Sequence, residues 1–207
     1  MQRDPPYRIT TERLTVRCWD PRDAPLLKEA IDESLDHLRP WMAWADDEPQ
    51  TLEEKVRLLR RFRGAFDLGE NFVYGIFSRD ESEVVGGIGL HPRAGEDAFE
   101  IGYWIRASRA RQGLAGEAVA ALSRAGFEVA GAERIEINVD PENTASLGVP
   151  RKLGFREEAT LRRRSPRRPG EPLRDTVVFS LFGDEVDGTA VAEARFEAFD
   201  AAGARLS

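Results

Sequence analysis

Residues 100–118 run as strand, basic turn and helix start. Glu100-Ile101-Gly102-Tyr103-Trp104-Ile105 is followed by Arg106, Arg109 and Arg111, then by Gln112-Gly113-Leu114-Ala115-Gly116-Glu117-Ala118. The first amides of a helix lack intrahelical acceptors and sit at the positive end of its dipole, so such a start binds phosphate oxygens. Gly113 and Gly116 let a ligand approach the backbone with no Cβ in the way. The three arginines supply charge for a polyanion. A glycine-relieved helix start with solvated arginines has the same sequence, so this segment alone leaves both readings open. A second polar group follows, Asn138-Val139-Asp140-Pro141-Glu142-Asn143-Thr144-Ala145-Ser146, closing on Arg151-Lys152-Leu153-Gly154-Phe155. Asn143 and Ser146 stand where a helix begins, and both residue types bond to backbone there.

The elements that must position these groups are read from periodicity. A first strand is expected near 13–18, before the turn at Asp20-Pro21. Ala24, Leu27, Ala30, Ile31 and Leu35 have helical spacing within 22–35. Leu38 to Pro49 reads as a loop carrying Trp41, Met42 and Trp44, then Asp46-Asp47-Glu48. Thr51-Leu52-Glu53-Glu54 is a capping box that opens a second helix, with Leu52, Val56, Leu59, Phe62 and Phe66 as its apolar face. Strands are expected at 72–77, 84–90, 99–105, 134–139, after Phe155, and at 176–182. Between them lie a long helix, 113–129, and a short one, 145–153. Early hairpins with a central crossover helix predict an α/β (α+β) fold with a mixed sheet of about seven strands. The tail is ambiguous. Residues 191–200 are Ala- and Glu-rich like a helix, yet Ala192, Ala194, Phe196 and Ala198 alternate like a strand. The expected division is a domain at 8–183 and an extension at 184–207.

The chain has 207 residues, 41% of them hydrophobic, enough for one domain with a real core. Its net charge of −7 disfavours general binding of nucleic acid. The single cysteine, Cys18, forms no intramolecular disulfide and points to a reducing, cytoplasmic setting. Met1 to Pro6 lacks the apolar run of a signal peptide. No stretch has the length of a membrane span. Cys18, His37 and His91 are too few and too scattered for a zinc site, so no metal is expected.

Taken together, the motifs resemble the GNAT superfamily of N-acetyltransferases, and within it the branch of ribosomal-protein alanine and serine N-acetyltransferases. Thr11-Glu12-Arg13-Leu14, Glu100 to Trp104, the Gly113 loop with Glu117-Ala118, Asn143 with Ser146, Leu153-Gly154-Phe155, and Gly170 with Asp175 stand in the order that branch shows. The resemblance covers residues 10–182. It implies a GNAT fold in which the parallel strands 99–105 and 134–139 splay apart and hold acetyl-CoA in the fork. Pyrophosphate would meet the amides of Gln112, Gly113, Leu114, Ala115, Gly116 and Glu117, with Arg109 and Arg111 beside them. Pantetheine would pair with strand 99–105 like an added strand, near Asn138 and Asn143. A backbone N–H at Trp104 or Ile105 would stabilise the oxyanion. Glu100 is the first candidate base, directly or through water; a solvated strand carboxylate is the alternative.

Three positions depart from the branch pattern. The Arg or Gln that usually opens the coenzyme loop falls on Ala110, flanked by Arg109 and Arg111. The Thr common before Glu-Ala is Gly116. The tyrosine that protonates the departing thiolate in many members falls on Pro150, which predicts a bent or short helix and leaves Ser146 as the candidate donor. Trp41, Trp44 and Tyr103 are candidates for the acceptor pocket, with core packing as the alternative for the tryptophans. Asp46, Asp47 and Glu48 would draw in a protonated amine or form a solvated loop. Arg162, Arg163, Arg164, Arg167 and Arg168 would dock an acidic partner or stay solvated. The implied activity is acetyl transfer to a primary amine, foremost a protein N-terminus. A small amine as acceptor and a non-catalytic acyl-CoA-binding module are the alternatives. A monomer or homodimer is expected.

Overall fold

The computed structural model describes residues 4–165 and 172–206. Arg167, Arg168 and Gly170 lie outside the described residues. The strands are β1 (Arg8–Thr10), β2 (Leu14–Cys18), β3 (Phe72–Ser78), β4 (Val84–His91), β5 (Ala98–Ile105), β6 (Arg134–Val139), β7 (Arg156–Ser165), β8 (Arg174–Phe182) and β9 (Glu197–Phe199). The helices are α1 (Ala24–Asp32), α2 (Leu35–Leu38), α3 (Leu52–Asp67), α4 (Leu114–Glu128) and α5 (Thr144–Leu153). The nine strands of the described residues form one sheet in the order β7-β8-β6-β5-β4-β3-β2-β1-β9. The sheet exceeds the seven strands expected because β1 and the tail strand β9 extend the far edge. The single helix expected over 22–35 is two, since Glu33 and Ser34 break the run between α1 and α2. No helix of the described residues is long and apolar enough to cross a membrane.

Alternation along the strands sends side chains to two faces. Trp19, Leu27, Ile31, Leu59, Phe77 and Val84 form the smaller apolar group, beneath α1 and α3. Ile88, Leu90, Ile101, Ile135, Ile137, Phe179 and most of α4 form the larger one. The capping box of α3 is present, with Thr51 accepting from the Glu54 amide and Glu54 from the Thr51 amide. Its apolar face differs from the expected one. Leu52, in the first turn, is exposed, while Lys55 is fully buried and ion-paired with buried Glu48. Glu48 is therefore no part of a solvated acidic loop; Asp46 and Asp47 are exposed.

The tail is neither free nor helical at 191–200. Val191 is fully buried, and Val186, Ala190, Ala194 and Phe196 pack on the larger core. Arg124 of α4 donates to the Ala192 and Ala194 carbonyls at 2.9 and 2.8 Å. Beyond them β9 pairs antiparallel with β1. The segment thus straps the outside of α4 and closes the edge that β1 would expose.

Candidate active site

β5 and β6 are parallel neighbours, but only Ala98, Phe99 and Glu100 pair, with Arg134, Ile135 and Glu136. From residue 101 the strands part, and the fork opens towards the start of α4. The hydrogen-bond register decides which β5 amides face it. Arg106 N donates to Val85 O on β4 at 2.8 Å. Antiparallel pairs alternate between bonded and non-bonded. The Trp104 amide is therefore committed to β4, opposite Gly87, and those of Tyr103 and Ile105 face the fork. Of the two amides expected to serve as oxyanion donor, the Ile105 amide is the one available.

Gly113 caps α4 with φ +79°, in the left-handed region that glycine enters without penalty. The Leu114, Ala115 and Gly116 amides precede the first intrahelical bond, which is Glu117 N to Gly113 O at 3.1 Å. The Glu117 amide is thus occupied, narrowing the expected cradle by one donor. A Cβ at Gly116 would meet nothing within 4 Å, so open space lies before this turn. The Glu117 carboxylate accepts from Thr11 Oγ1 at 2.6 Å, Arg13 N at 3.0 Å and Arg13 Nε at 2.6 Å. Arg13 Nη1 donates to Gln112 O at 3.0 Å. Two motifs a hundred residues apart are therefore one contact, with the β1–β2 turn bracing the helix start. Arg13 is a cation at this loop that its charge alone did not reveal.

The arginines divide. Arg109 is engaged by Glu83 at 2.6 Å, and buried Arg106 holds Glu29 at 2.7 Å and Glu33 at 2.5 Å. Hydrogen bonding from Arg106 pulls the Glu33 carboxyl down to about 2. These two arginines tie the β5–α4 turn to the C-terminal end of α1 and to the β3–β4 turn. Arg111 is exposed, at φ +60°.

Asn143 caps α5: its Oδ1 accepts from Ser146 N at 3.1 Å, leaving Nδ2 outside the cap. α5 is ten residues long, one more than the short helix expected over 145–153, and runs through Pro150. The Tyr103 hydroxyl reaches from β5 to Ser146, 2.9 Å from its Oγ and 3.2 Å from its carbonyl oxygen. Burial pushes this hydroxyl up to about 12, against a smaller lowering by Ser146. Tyr103 therefore lies on the α5 side, away from the tryptophans with which it was grouped.

Glu100 lies on the opposite face, with Trp104. Arg93 donates to both its oxygens, at 3.0 and 2.5 Å. Burial raises the Glu100 carboxyl, but Arg93, Asn138 and His91 outweigh it and hold it below its ordinary value. His91 packs against Gly89, where a Cβ would meet its Nε2 at 2.2 Å, and its Nδ1 bonds Asn71 Oδ1 at 2.7 Å. Burial and the Arg93 charge lower its pKa to about 4. Trp44 meets Trp104 edge-on at 6.0 Å. Trp41 lies under Arg174 at 5.7 Å. Arg174 also donates to Pro40 O at 2.7 Å and Asp140 Oδ2 at 2.8 Å. It joins the tryptophan loop to the turn that carries Asn143. Asn138 is exposed on β6.

Comparison with known proteins agrees with this geometry. Residues 13–156 match the Acetyltransferase (GNAT) domain. The chain is 30% identical over 159 residues to the [Ribosomal protein uS5]-alanine N-acetyltransferase of Escherichia coli (strain K12), covering 74% of this chain and 80% of that protein. It is 29% identical over 174 residues to the uncharacterized N-acetyltransferase YoaA of Bacillus subtilis (strain 168), covering 84% and 95%. Mycobacterium smegmatis RimJ, solved in complex with CoA-disulfide, superposes with a TM-score of 0.78 at 25% identity, over 93% of this chain and 95% of that one. An open mixed sheet forked beside a glycine-capped helix, and a family match over most of the chain, lead to one assignment: the protein belongs to the GNAT family of N-acetyltransferases.

Proposed function

We propose that the protein transfers the acetyl group of acetyl-CoA to the N-terminal α-amino group of a protein or peptide, by direct attack in a ternary complex. The observation that carries this reading is the division of polar groups across the fork. Glu100 and Tyr103 alternate to opposite faces of β5. Glu100, Trp104 and Trp44 stand on one side; Tyr103, Ser146 and Asn143 on the other. An amine entering from the tryptophan side would attack a thioester lying in the fork, and sulfur would depart towards α5.

Each part of acetyl-CoA has a matching group. The free amides of α4, with Arg13 and Arg111 nearby, suit the pyrophosphate. The unpaired edge of β5 beyond Glu100 suits the pantetheine. The Ile105 amide suits the carbonyl oxygen, where a preorganised donor lowers the barrier to the tetrahedral intermediate. Glu100 is ionised at neutral pH and held by Arg93, so it orients the amine and accepts its proton as a weak base. The similarity to a uS5-alanine N-acetyltransferase supports a protein N-terminus as acceptor.

The test is thiol release from acetyl-CoA with peptides of varied N-terminal residue, alongside amino acids, polyamines and aminoglycosides. Release with N-terminal peptides, and product mass showing α-amino acetylation, is expected. Turnover only with small amines would move the acceptor class. Tight acetyl-CoA binding without turnover on any amine would make the chain a binding module.

A further inference from the structure

Two features meet at Ser146. Pro150 stands four residues further along α5 and has no N–H, so it cannot give the Ser146 carbonyl its helical bond. The Tyr103 hydroxyl comes from β5, across the fork, to within 3.2 Å of that carbonyl and 2.9 Å of Ser146 Oγ. The acceptor that proline leaves over is thus the docking point for a phenol on another element. A hydroxyl has one proton and two lone pairs. Tyr103 can donate to the carbonyl and accept from Ser146. Alternatively it donates to Ser146 Oγ and frees the serine proton for another acceptor. Rotation of two O–H bonds interconverts these arrangements without moving a heavy atom.

We propose that Tyr103 is a positioning residue for Ser146: held at α5 at rest by its bond to the carbonyl that Pro150 leaves free, it turns its one proton to Ser146 Oγ as Ser146 donates to the departing thiolate. This rests on the acetyl-transfer reading above. In that step the amine nitrogen bonds to the thioester carbon, the C–S bond breaks, and its electron pair stays on sulfur. The extra amine proton leaves to Glu100 or water. The thiolate departs hydrogen-bonded to Ser146 and takes its proton from water. Neither hydroxyl loses its proton. Burial keeps Tyr103 protonated across the neutral range, as a donor requires.

The test combines Tyr103→Phe, Ser146→Ala, their double variant and Pro150→Ala. Ser146→Ala should lower kcat about tenfold, the size of one hydrogen bond to a charged group, and Tyr103→Phe, which removes the neutral bond behind it, about fivefold. Because the two act as a unit, the double variant should lose no more than Ser146→Ala alone. The acetyl-CoA Kd should stay within about twofold, since neither residue lies in the phosphate cradle. Pro150→Ala supplies the missing N–H to the Ser146 carbonyl and should lower kcat by releasing the phenol. Multiplicative losses in the double variant, or an unchanged kcat in Pro150→Ala, would overturn the proposal. Melting temperatures read the contact without any turnover. Tyr103→Phe should lower Tm in the native background and leave it nearly unchanged beside Pro150→Ala. If the native protein releases no thiol with any amine, the acetyl-transfer reading falls and the role in rate falls with it. Equal Tm losses in both backgrounds would refute the contact even in an active enzyme.

Discussion

Replacing Gly113 by Asp and, separately, by Asn distinguishes charge from shape at the start of α4. Gly113 has φ +79° and ψ 0°, so any side chain there costs about 1 kcal/mol or somewhat more, and Asn and Asp tolerate that region best among the others. A Cβ would meet only Arg13 Nη2, at 3.6 Å, an ordinary contact. Both variants should therefore fold around the same loop with similar strain. They differ by one negative charge beside the Leu114, Ala115 and Gly116 amides. A carboxylate about 5 Å from a phosphate charge, at an effective dielectric near 20, costs about 3 kcal/mol. The loop is open to solvent and Arg13 would neutralise part of that charge, so about half remains, roughly tenfold in affinity. Titration calorimetry of acetyl-CoA at low salt should give an Asp variant about tenfold weaker than the Asn variant. In 1 M salt, where the screening length is about 3 Å, the gap should nearly close. Circular dichroism checks that both are folded. Equal affinities at low salt, or two variants that bind like the native protein, would remove the pyrophosphate from this helix start.

Glu100→Gln should lower kcat about tenfold and leave the acetyl-CoA Kd unchanged, less than the hundredfold or more of a freely positioned base, because Arg93 already occupies both oxygens. A native rate across the pH range would show that the amine loses its proton elsewhere. Arg174→Ala should free the Pro40–Trp41 loop from Asp140 and raise the acceptor KM about fivefold, with acetyl-CoA affinity retained; an unchanged KM would confine Arg174 to a structural role. His91 titrates near 4 in the folded chain against 6.5 when unfolded, so the unfolded state binds the extra proton between those values. Stability is therefore complete above about pH 6.5 and falls as pH drops towards 4, by up to about 3 kcal/mol. Urea melts over that window should show the slope, and His91→Asn should flatten it.

Most of the fold was legible where the deciding information is local. Thr51 and Glu54 lie within one turn of each other, and the box they form starts α3 as expected. β3 to β6 fall within a residue or two of their expected bounds, β6 by its alternation and β4 as a run buried along nearly its whole length. The tail was not legible, because Ala192, Ala194, Phe196 and Ala198 suit two periodicities. Its partner β1 lies nearly the whole chain away, and only that pairing makes it a strand. The burial of Lys55 was not legible for a related reason. A charge in the first turn of a helix reads as solvent-facing, yet Glu48 from the preceding loop pairs with it in the core.

The same distinction runs through the site. Gly113, Asn143 and Pro150 act through the backbone: one by its freedom at positive φ, one by accepting a helix amide, one by withholding an N–H. Each effect reaches no further than four residues, so the free amides at the start of α4, the cap of α5 and the Ser146 carbonyl without a helical partner could be read before any contact was known. Side-chain pairing has no such limit. With 30 basic and 37 acidic residues, an arginine has many carboxylates within its eventual reach. Arg106 and Arg109 looked like phosphate ligands because they neighbour the glycine loop, but topology brings Glu29, Glu33 and Glu83 to them first. Arg13 looked like part of a strand entry and instead stands at the loop, delivered there by Glu117. What topology decides is which cations are already spent within the fold. Arg13 is itself paired with Glu117, so for the proposed pyrophosphate contact exposed Arg111 is the cation at this loop that no carboxylate of the fold holds in the described residues.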